Sequence, residues 1–388
     1  MIAIVGGRLQ GTEAAYLARK AGYQSLLIDR DPAAPASAIC DVFYCGDVCS
    51  PEPQLLKMLL ASDLILPAME NDETLAYLEQ LAKRYPVKIA FDFSAYSITS
   101  SKYRSDKLFH DHHIPSPAYY PNCQGPFIVK PSQESGSSGV QSMATRVEVE
   151  SFLTQHKQKD EWIIQEELRG PSYSIEIIGR PGAYRTYQIT QIHMDDSYDC
   201  NRVTCPCPLT DGQKKAFEDM AFKLAGIIGL HGIMDLEVID DKGVLKILEI
   251  DARIPSQTPT AVLHSTGVNL LAEMVDLFEG RWEEGSGQLR LRPPVERFTS
   301  YEHHYLSDGC LQSPGEHIMG SAGPLRLYEA YLGCDEVLTD YVEGDKSFRG
   351  TFINSGDTLD ELKLKRLAMK SALSHLLCHS QEPRDEES

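Results

Sequence analysis

The sequence predicts an α/β protein that opens on a doubly wound parallel sheet and continues into a region built on antiparallel hairpins. Three observations predict it. The chain begins strand, glycine-rich turn, helix, strand: MIAIVGG, a helix from about Gly11 to Ala21 stopped by Gly22, then SLLID ending in Asp29. Such a βαβ opening closes with a right-handed crossover into a parallel sheet. Further on, PFIVKPSQESGSSGV sets a lysine-bearing strand before a Ser/Gly-rich loop. Finally, Gly232 to Pro259 reads as two short apolar strands joined at Asp240-Asp241-Lys242-Gly243, with charges recurring at every second residue.

The elements follow in order. Asp63–Pro67 and Val87–Phe91 are further buried strands, and Glu73–Tyr85 has helical periodicity. A first domain over residues 1–93 is expected to close near DFSAYS. Lys102–His112 is a helix, and HIPSP is an extended linker between two prolines. Val147–His156 reads as a helix and WIIQEEL as a strand, while SYSIEIIG and YRTYQITQIHM alternate as antiparallel strands. Asp211–Ile228 is an amphipathic helix ahead of the hairpin, and Asn269–Glu279 is another. Residues 94–290 form a second region, with a lid over about 120–180. Residues 291–388 form an α+β tail ending in a helix over Leu359–Leu377 and a polar, disordered SQEPRDEES. No internal repeat is present.

Composition limits the function. A chain of 388 residues exceeds one ordinary core. A formal net charge of −19 excludes a nucleic-acid partner and suits small cationic substrates such as diamino acids. No apolar run is long enough to span a membrane, and the N-terminus has no signal-peptide pattern, so a cytoplasmic protein is expected. Ten cysteines without paired CxxC spacing read as reduced and structural.

The hairpin carries the strongest chemistry. Alternation sets Asp235 and Glu237 on one face of its first strand, and Glu249, Asp251 and Arg253 on one face of its second. Crowded carboxylates repel one another and resist burial unless a cation sits among them. Oxygen-only ligands on a rigid sheet suit Mg²⁺ with waters and substrate phosphates. A solvated charged face is the plainer alternative; the apolar residues between the charges weaken it.

Other motifs are weaker singly. GGRLQG is an imperfect dinucleotide fingerprint, with Arg8 where a glycine would stand and Asp29 where an acid would meet a ribose. An anion at the helix N-terminus, held by backbone N–H groups and Arg8, fits it better than a nicotinamide. Lys130 with Ser135, Gly136, Ser137, Ser138 and Gly139 is a phosphate-binding candidate, against the alternative of a flexible linker. In QEEL, Glu166 could accept from an adenine amino group while the backbone near Glu167 and Leu168 meets the ring edge. Asp195, Asp196 and Asp199 could hold ammonium groups or form a solvated acidic loop, and His193 reads as a satisfied core histidine.

This order of motifs, closed by the spacing Glu237…Glu249-x-Asp251-x-Arg253, resembles the ATP-grasp superfamily, in the branch with biotin carboxylase and the purine-pathway carboxylases. GGRLQGTEAAYLARKAG, LPAMEND, DFSAYSIT, SYDC and DARIPSQTPTAV resemble more closely the 3-methylornithine–L-lysine ligase family of pyrrolysine biosynthesis, from the first residue to about Leu271. The resemblance implies a Rossmann-like N-terminal domain, central lid and ATP-grasp domains and a small C-terminal α+β region. It implies ATP and Mg²⁺ as cofactors. The γ-phosphoryl would activate the carboxylate of (3R)-3-methyl-D-ornithine or D-ornithine, and the ε-amine of L-lysine would attack the acyl phosphate.

In that scheme Glu237, Glu249 and Asp251 hold the metal, Arg253 and Lys130 the transferring phosphoryl, and Lys102 the nucleotide phosphates. Leu9, Gln10 and Glu70 form the lysine pocket; Ser174, Glu176, Asp235 and Ser256, with Arg253 beside them, face the ornithine-like substrate. Arg8, Asp29 and Asp47 surround the first sheet's switch point, where a second nucleotide could sit. One departure from the family pattern is Ser172, where a ribose-binding Glu often stands. A homodimer is the default assembly. Two readings compete: another ATP-grasp amino-acid ligase or purine-pathway-type carboxylase, and a non-enzymatic dinucleotide-sensing module.

Overall fold

The first layer of the computed structural model is a four-stranded parallel sheet, order β3-β2-β1-β4. The structure describes residues 1–132, 139–156, 162–282, 288–290, 296–307 and 309–379; the tail SQEPRDEES lies outside them. The sheet is made by β1 (Ile2–Val5), β2 (Ser25–Asp29), β3 (Val42–Cys45) and β4 (Leu64–Pro67), crossed by α1 (Leu9–Lys20), α2 (Pro53–Leu60) and α3 (Asp72–Arg84). Helix α1 starts two residues earlier than periodicity suggested. The β3 strand and α2 carried too short a pattern to read. The expected strand Val87–Phe91 is reduced to one bridge, Ile65 to Ile89. Two short helices, α4 (Phe93–Thr99) and α5 (Lys102–Asp111), follow; Asp92 and Ser101 cap them through side-chain oxygens.

A three-stranded sheet stands next, order β6-β5-β7, from β5 (Phe127–Pro131), β6 (Gln141–Met143) and β7 (Trp162–Glu166), with α6 (Arg146–Gln155) on it. The largest sheet starts at β8 (Ser172–Arg180), β9 (Ala183–Thr186), β10 (Thr190–Met194) and β11 (Cys200–Cys205). The segment YRTYQITQIHM is therefore broken into two strands, both antiparallel to β8. After α7 (Asp211–Ile228) come β12 (Gly232–Asp241) and β13 (Val244–Asp251). Their turn is Lys242-Gly243 alone, both at positive φ, as a two-residue hairpin of the right twist requires.

Helices α8 (Thr258–Thr266) and α9 (Leu270–Glu279) precede β14 (Gln288–Arg290), which pairs with β9. The tail supplies β15 (Phe298–Ser307), β16 (Cys310–Gln312), α10 (His317–Gly320), β17 (Arg326–Glu329), β18 (Glu336–Thr339), β19 (Phe348–Gly356) and α11 (Leu359–His379). The tail strands are continuous with the central sheet, because β11 pairs with β15. The whole runs β13-β12-β8-β10-β11-β15-β19-β18-β17.

Layers are fastened by buried polar contacts. Glu13 on α1 accepts from the Thr260 N–H of α8 at 2.6 Å. Tyr16 and Lys20 on α1 both reach Glu336 on β18, at 2.8 and 2.6 Å. Arg366 of α11 makes a two-pronged pair with Glu302 of β15 at 2.6 and 2.8 Å, the geometry in which such pairs are strongest. Ile4, Leu27, Val262, Met274 and Ile353 share one apolar cluster. The first sheet is thereby locked onto the third.

The first helical turn is crowded. A Cβ on Gly11 would lie 2.0 Å from the Gly6 carbonyl oxygen. Gly11→Ala is expected to destabilise the fold by roughly 3 kcal/mol, measured as a fall in urea midpoint with unchanged slope.

Candidate active site

The charged hairpin is set by a division of faces. Met234, Leu236, Val238, Leu245, Ile247 and Ile250 pack with Phe217 and Leu224 of α7 in one apolar cluster. The opposite face carries the acids. Register places Asp235 across from Asp251 and Glu237 across from Glu249, and shifts between Glu237 and Val238, leaving Leu248 as a bulge. The Leu248 carbonyl accepts from Lys130 Nζ at 3.3 Å. Lys102, the first residue of α5, pairs with Glu249 at 3.1 Å. Arg253 reaches Glu70 at 2.6 Å, Asp251 at 3.0 Å and Asp235 at 3.8 Å.

Burial dominates the electrostatics. It pushes the carboxyl of Glu237 well above its ordinary range, and Glu249 and Asp235 add to this. Asp235 is raised to about 7 by burial, which Arg253 only partly offsets. Burial acts upward on Glu249 too, but Lys102 and Lys130 outweigh it and the net shift is down. Lys130 is lowered by burial against the pull of Asp106 and Glu249.

Glu237, Glu249 and Asp251 do not close into a three-carboxylate cage; no group of three metal-binding side chains converges among the described residues. The reason is local: Asp251 is turned to Arg253, and Glu249 to Lys102. Glu237 and Glu249 face each other across the strands with Glu237 unsatisfied electrostatically. Two such carboxylates suit a Mg²⁺ that takes its other oxygens from phosphates and water.

Two cavities share this face. The larger, about 390 Å³, is walled by Lys102, Lys130, Glu167, Leu168, Glu237 and Glu249. Glu166 is not on this wall. Strand alternation turns it away, and its carboxylate takes the Ala118 N–H and Lys246 Nζ, each at 2.9 Å. The adenine-amino role read for Glu166 is corrected accordingly; the Gln165 and Glu167 parity faces the cavity. Gly139 is absent from the lining, which has its neighbour Val140. Ser135, Gly136, Ser137 and Ser138 lie outside the described residues.

The second cavity, about 120 Å³, is lined by Gln10, Glu70, Asp235, Arg253, Ser256 and Glu316 among others. Leu9 also lines it, and Gln10 donates to Glu70 at 2.9 Å. Ser174 and Glu176 are not on its wall. They are 1 % and 0 % exposed, on β8 directly beside Glu237 and Asp235 and on the same sheet face, so they flank the lining from the adjacent strand. Oxygens of Asp235, Glu176, Thr258 and Glu316 are buried there without hydrogen-bond partners among the described residues. Such orphans call for a ligand or water. Arg8, Asp29 and Asp47 line a third cavity of about 720 Å³ at the first sheet's C-terminal edge, which shares Leu9, Gln10 and Glu70 with the second. Asp29 accepts there from the Gly7 N–H at 2.6 Å.

The loop entering α8 is strained. Gln257 has φ 69° and ψ −56°, and the Thr258 N–H returns to the Ser256 carbonyl at 2.8 Å, a tight γ-turn rarely adopted. Buried side chains hold it: His303 at 3.2 Å and Cys200 at 3.4 Å meet the Gln257 amide oxygen. This turn fixes Ser256 toward the cavity. Sequence reading missed Gln257 and Glu316, for which no local pattern exists. It missed Asp106 too, although its i+4 spacing from Lys102 on one helix was a signal; burial raises its carboxyl beside Lys130. The acidic loop Asp195–Asp199 is not available to ammonium groups through its two ends. Asp195 takes the N–H groups of Ser197, Asp199 and Gly315, and Asp199 binds His317. His193 is satisfied by Thr204 and Arg202.

Burial raises Glu176 from 4.5 to about 8. The folded protein then holds a proton that the unfolded chain loses above its ordinary carboxylate pKa, so this contribution to stability falls as pH rises across that interval. Glu176→Gln is expected to raise stability at pH 8 relative to pH 5 by on the order of a few kcal/mol. Urea melts at the two pH values read this directly.

The molecule can be set beside known proteins. The ATP-grasp domain family model matches residues 99–257. The chain is 36% identical over 319 residues to the 3-methyl-D-ornithine–L-lysine ligase of Methanosarcina mazei, covering 82% of this chain and 81% of that one. It is 35% identical over 328 residues to the ligase of the same name from Methanosarcina acetivorans, covering 84% and 86%. Its fold is that of N5-carboxyaminoimidazole ribonucleotide synthetase from Thermus thermophilus, with TM-score 0.67, 16% identity and 100% of each chain covered. The chain therefore belongs to the ATP-grasp superfamily and, within it, to the 3-methyl-D-ornithine–L-lysine ligase family.

Proposed function

We propose that the protein joins the carboxylate of a D-ornithine derivative, 3-methyl-D-ornithine or D-ornithine, to the ε-amine of L-lysine at the expense of ATP. The observation that carries this reading is the shared wall between the two cavities. Cys200, Glu237, Glu249 and Glu316 line both. One side offers lysines and a carboxylate pair for a nucleotide's phosphates; the other is lined with carboxylates and one arginine, as zwitterions with extra amines require. A carboxylate entering from the second cavity meets the end of a triphosphate at that wall.

Lys102 and Lys130 stand where they would neutralise the phosphates, and Glu237 and Glu249 would hold Mg²⁺. The metal, when bound, supplies charge stabilisation at the β- and γ-phosphates. Arg253, oriented by Asp251 and Glu70, offers N–H groups to the substrate carboxylate or the acyl phosphate made from it. Glu70 and Gln10 are the proposed seat of lysine, and Asp235 and Ser256 that of the ornithine-like partner. Arg8, Asp29 and Asp47 form the proposed site of a second nucleotide; calorimetry giving a single ATP per chain would remove that part.

Mass spectrometry of the product from ATP, L-lysine and D-ornithine or its 3-methyl derivative tests the reading, with bicarbonate and an aminoimidazole nucleotide as the competing pair. A condensed amide is expected, and only from the diamino acids. Glu249→Gln is expected to lower kcat by about 10²-fold or more while far-UV circular dichroism is unchanged. Activity retained at saturating Mg²⁺ would make the hairpin purely structural.

A further inference from the structure

Glu316 belongs to the C-terminal region, far in sequence from every other residue of the nucleotide wall. A dedicated clamp brings it there. Asn201 donates to the Ser313 carbonyl at 3.1 Å, and Ser313 meets His304 at 2.9 Å. Asp195 takes the Gly315 N–H at 3.0 Å, and Asp199 takes the His317 N–H at 3.1 Å and its ring at 2.7 Å. A Cβ at Gly315 would fall 2.0 Å from the Asp199 carboxyl carbon, so the clamp closes only on glycine. The residue between these anchored neighbours is Glu316.

Its carboxylate lines both cavities at their junction. Ser256 and Gln257 face it through their side chains. Yet Oε2 is buried with no hydrogen-bond partner among the described residues. The charges that act on it include the acids Asp199, Glu13 and Glu237, and His317 opposes them. These acids favour a cation beside Glu316. In the ligase reading, on which this inference rests, the acyl phosphate forms at that junction, so the attacking nitrogen must arrive there as an ammonium and leave a proton behind.

We propose that Glu316 receives the acceptor amine: Oε2 accepts a hydrogen bond from the incoming ε-ammonium and takes one of its protons. The freed lone pair forms the N–C bond, and the C–O bond to the phosphoryl group breaks with its electron pair leaving on phosphate. The second ammonium proton passes to the departing phosphate as the adduct collapses to the neutral amide. Burial, reinforced by Asp199 against the pull of Ser256, Gln257 and His317, raises the Glu316 carboxyl above its ordinary range, which suits a proton acceptor working near neutrality.

The test compares two acceptors with the same donor acid, ATP and full-length protein. Hydroxylamine is uncharged at neutral pH and traps the acyl phosphate without needing a base. Glu316→Gln is expected to lower the rate of lysine ligation by about 10²- to 10⁴-fold while hydroxamate formation stays within about threefold of wild type. Glu316→Asp, which withdraws the carboxylate by one methylene, is expected to fall between. Lysine ligation by Glu316→Gln within about threefold of wild type overturns the proposal. So does a parallel loss of both products, which would mark a structural or nucleotide-binding role. If wild-type protein makes neither product, the ligase reading itself fails, and the proposal with it.

Discussion

Buried charge on one sheet face organises this molecule. Asp235, Glu237, Glu249, Asp251 and Glu70 lie together with Lys102, Lys130 and Arg253. No single element could bury such a set, because an isolated ion inside a protein is too costly. The cations therefore come from elsewhere: Lys102 from the helix after the first sheet, Lys130 from the three-stranded sheet, Arg253 from the strand exit. Five acids against three cations leave a formal excess of two negative charges. A divalent cation is the complement of that excess; without one, burial holds the carboxyls of Glu237, Asp251 and Asp235 above their ordinary range. The relative placement of three layers follows from the need to bring these charges within a few ångströms of each other.

The same logic explains why the C-terminal region shares the central sheet. Its strands extend β11, its helix α11 pairs Arg366 with Glu302, and its loop meets the acidic turn after β10. The Gln257 γ-turn is pinned from that side by His303. Backbone strain of this kind persists only where surrounding contacts over-determine it. The amino-acid side of the site is therefore rigid at Ser256 and Gln257, and its shape depends on side chains roughly fifty residues away in sequence.

Much of this was legible beforehand. The βαβ opening, the hairpin and the parity of its charges follow from period-two and period-3.6 patterns that local physics imposes. Asp235, Glu237, Glu249, Asp251 and Arg253 could be put on one face without knowing anything else. What could not be read was which way charges pair once tertiary neighbours compete. Asp251 chose Arg253 and Glu166 chose Lys246. The acids of residues 195–199 bind backbone N–H groups of a loop over a hundred residues later. Glu316 sits in SPGEH, a string indistinguishable from any surface turn until Asp199 is known to lie against Gly315. Strand β3 and helix α2 escaped for a simpler reason, since four to eight residues carry too little periodicity to rise above coil.

The bulge at Leu248 has a consequence for how this hairpin can change over time. Side chains alternate faces, so the extra residue is what returns Glu249 to the position opposite Glu237. At the same length but without the bulge, a regular ladder from the turn would set Leu248 opposite Glu237 and Glu249 opposite Leu236, rotating Glu249, Asp251 and Arg253 to the helix-packed side and emptying the site in a single step. Substitutions along β13 can be absorbed one side chain at a time; loss of the bulge cannot. The register of this strand is therefore under tighter constraint than the identity of most residues within it, and chains that drift in sequence would be expected to keep Glu249 opposite Glu237.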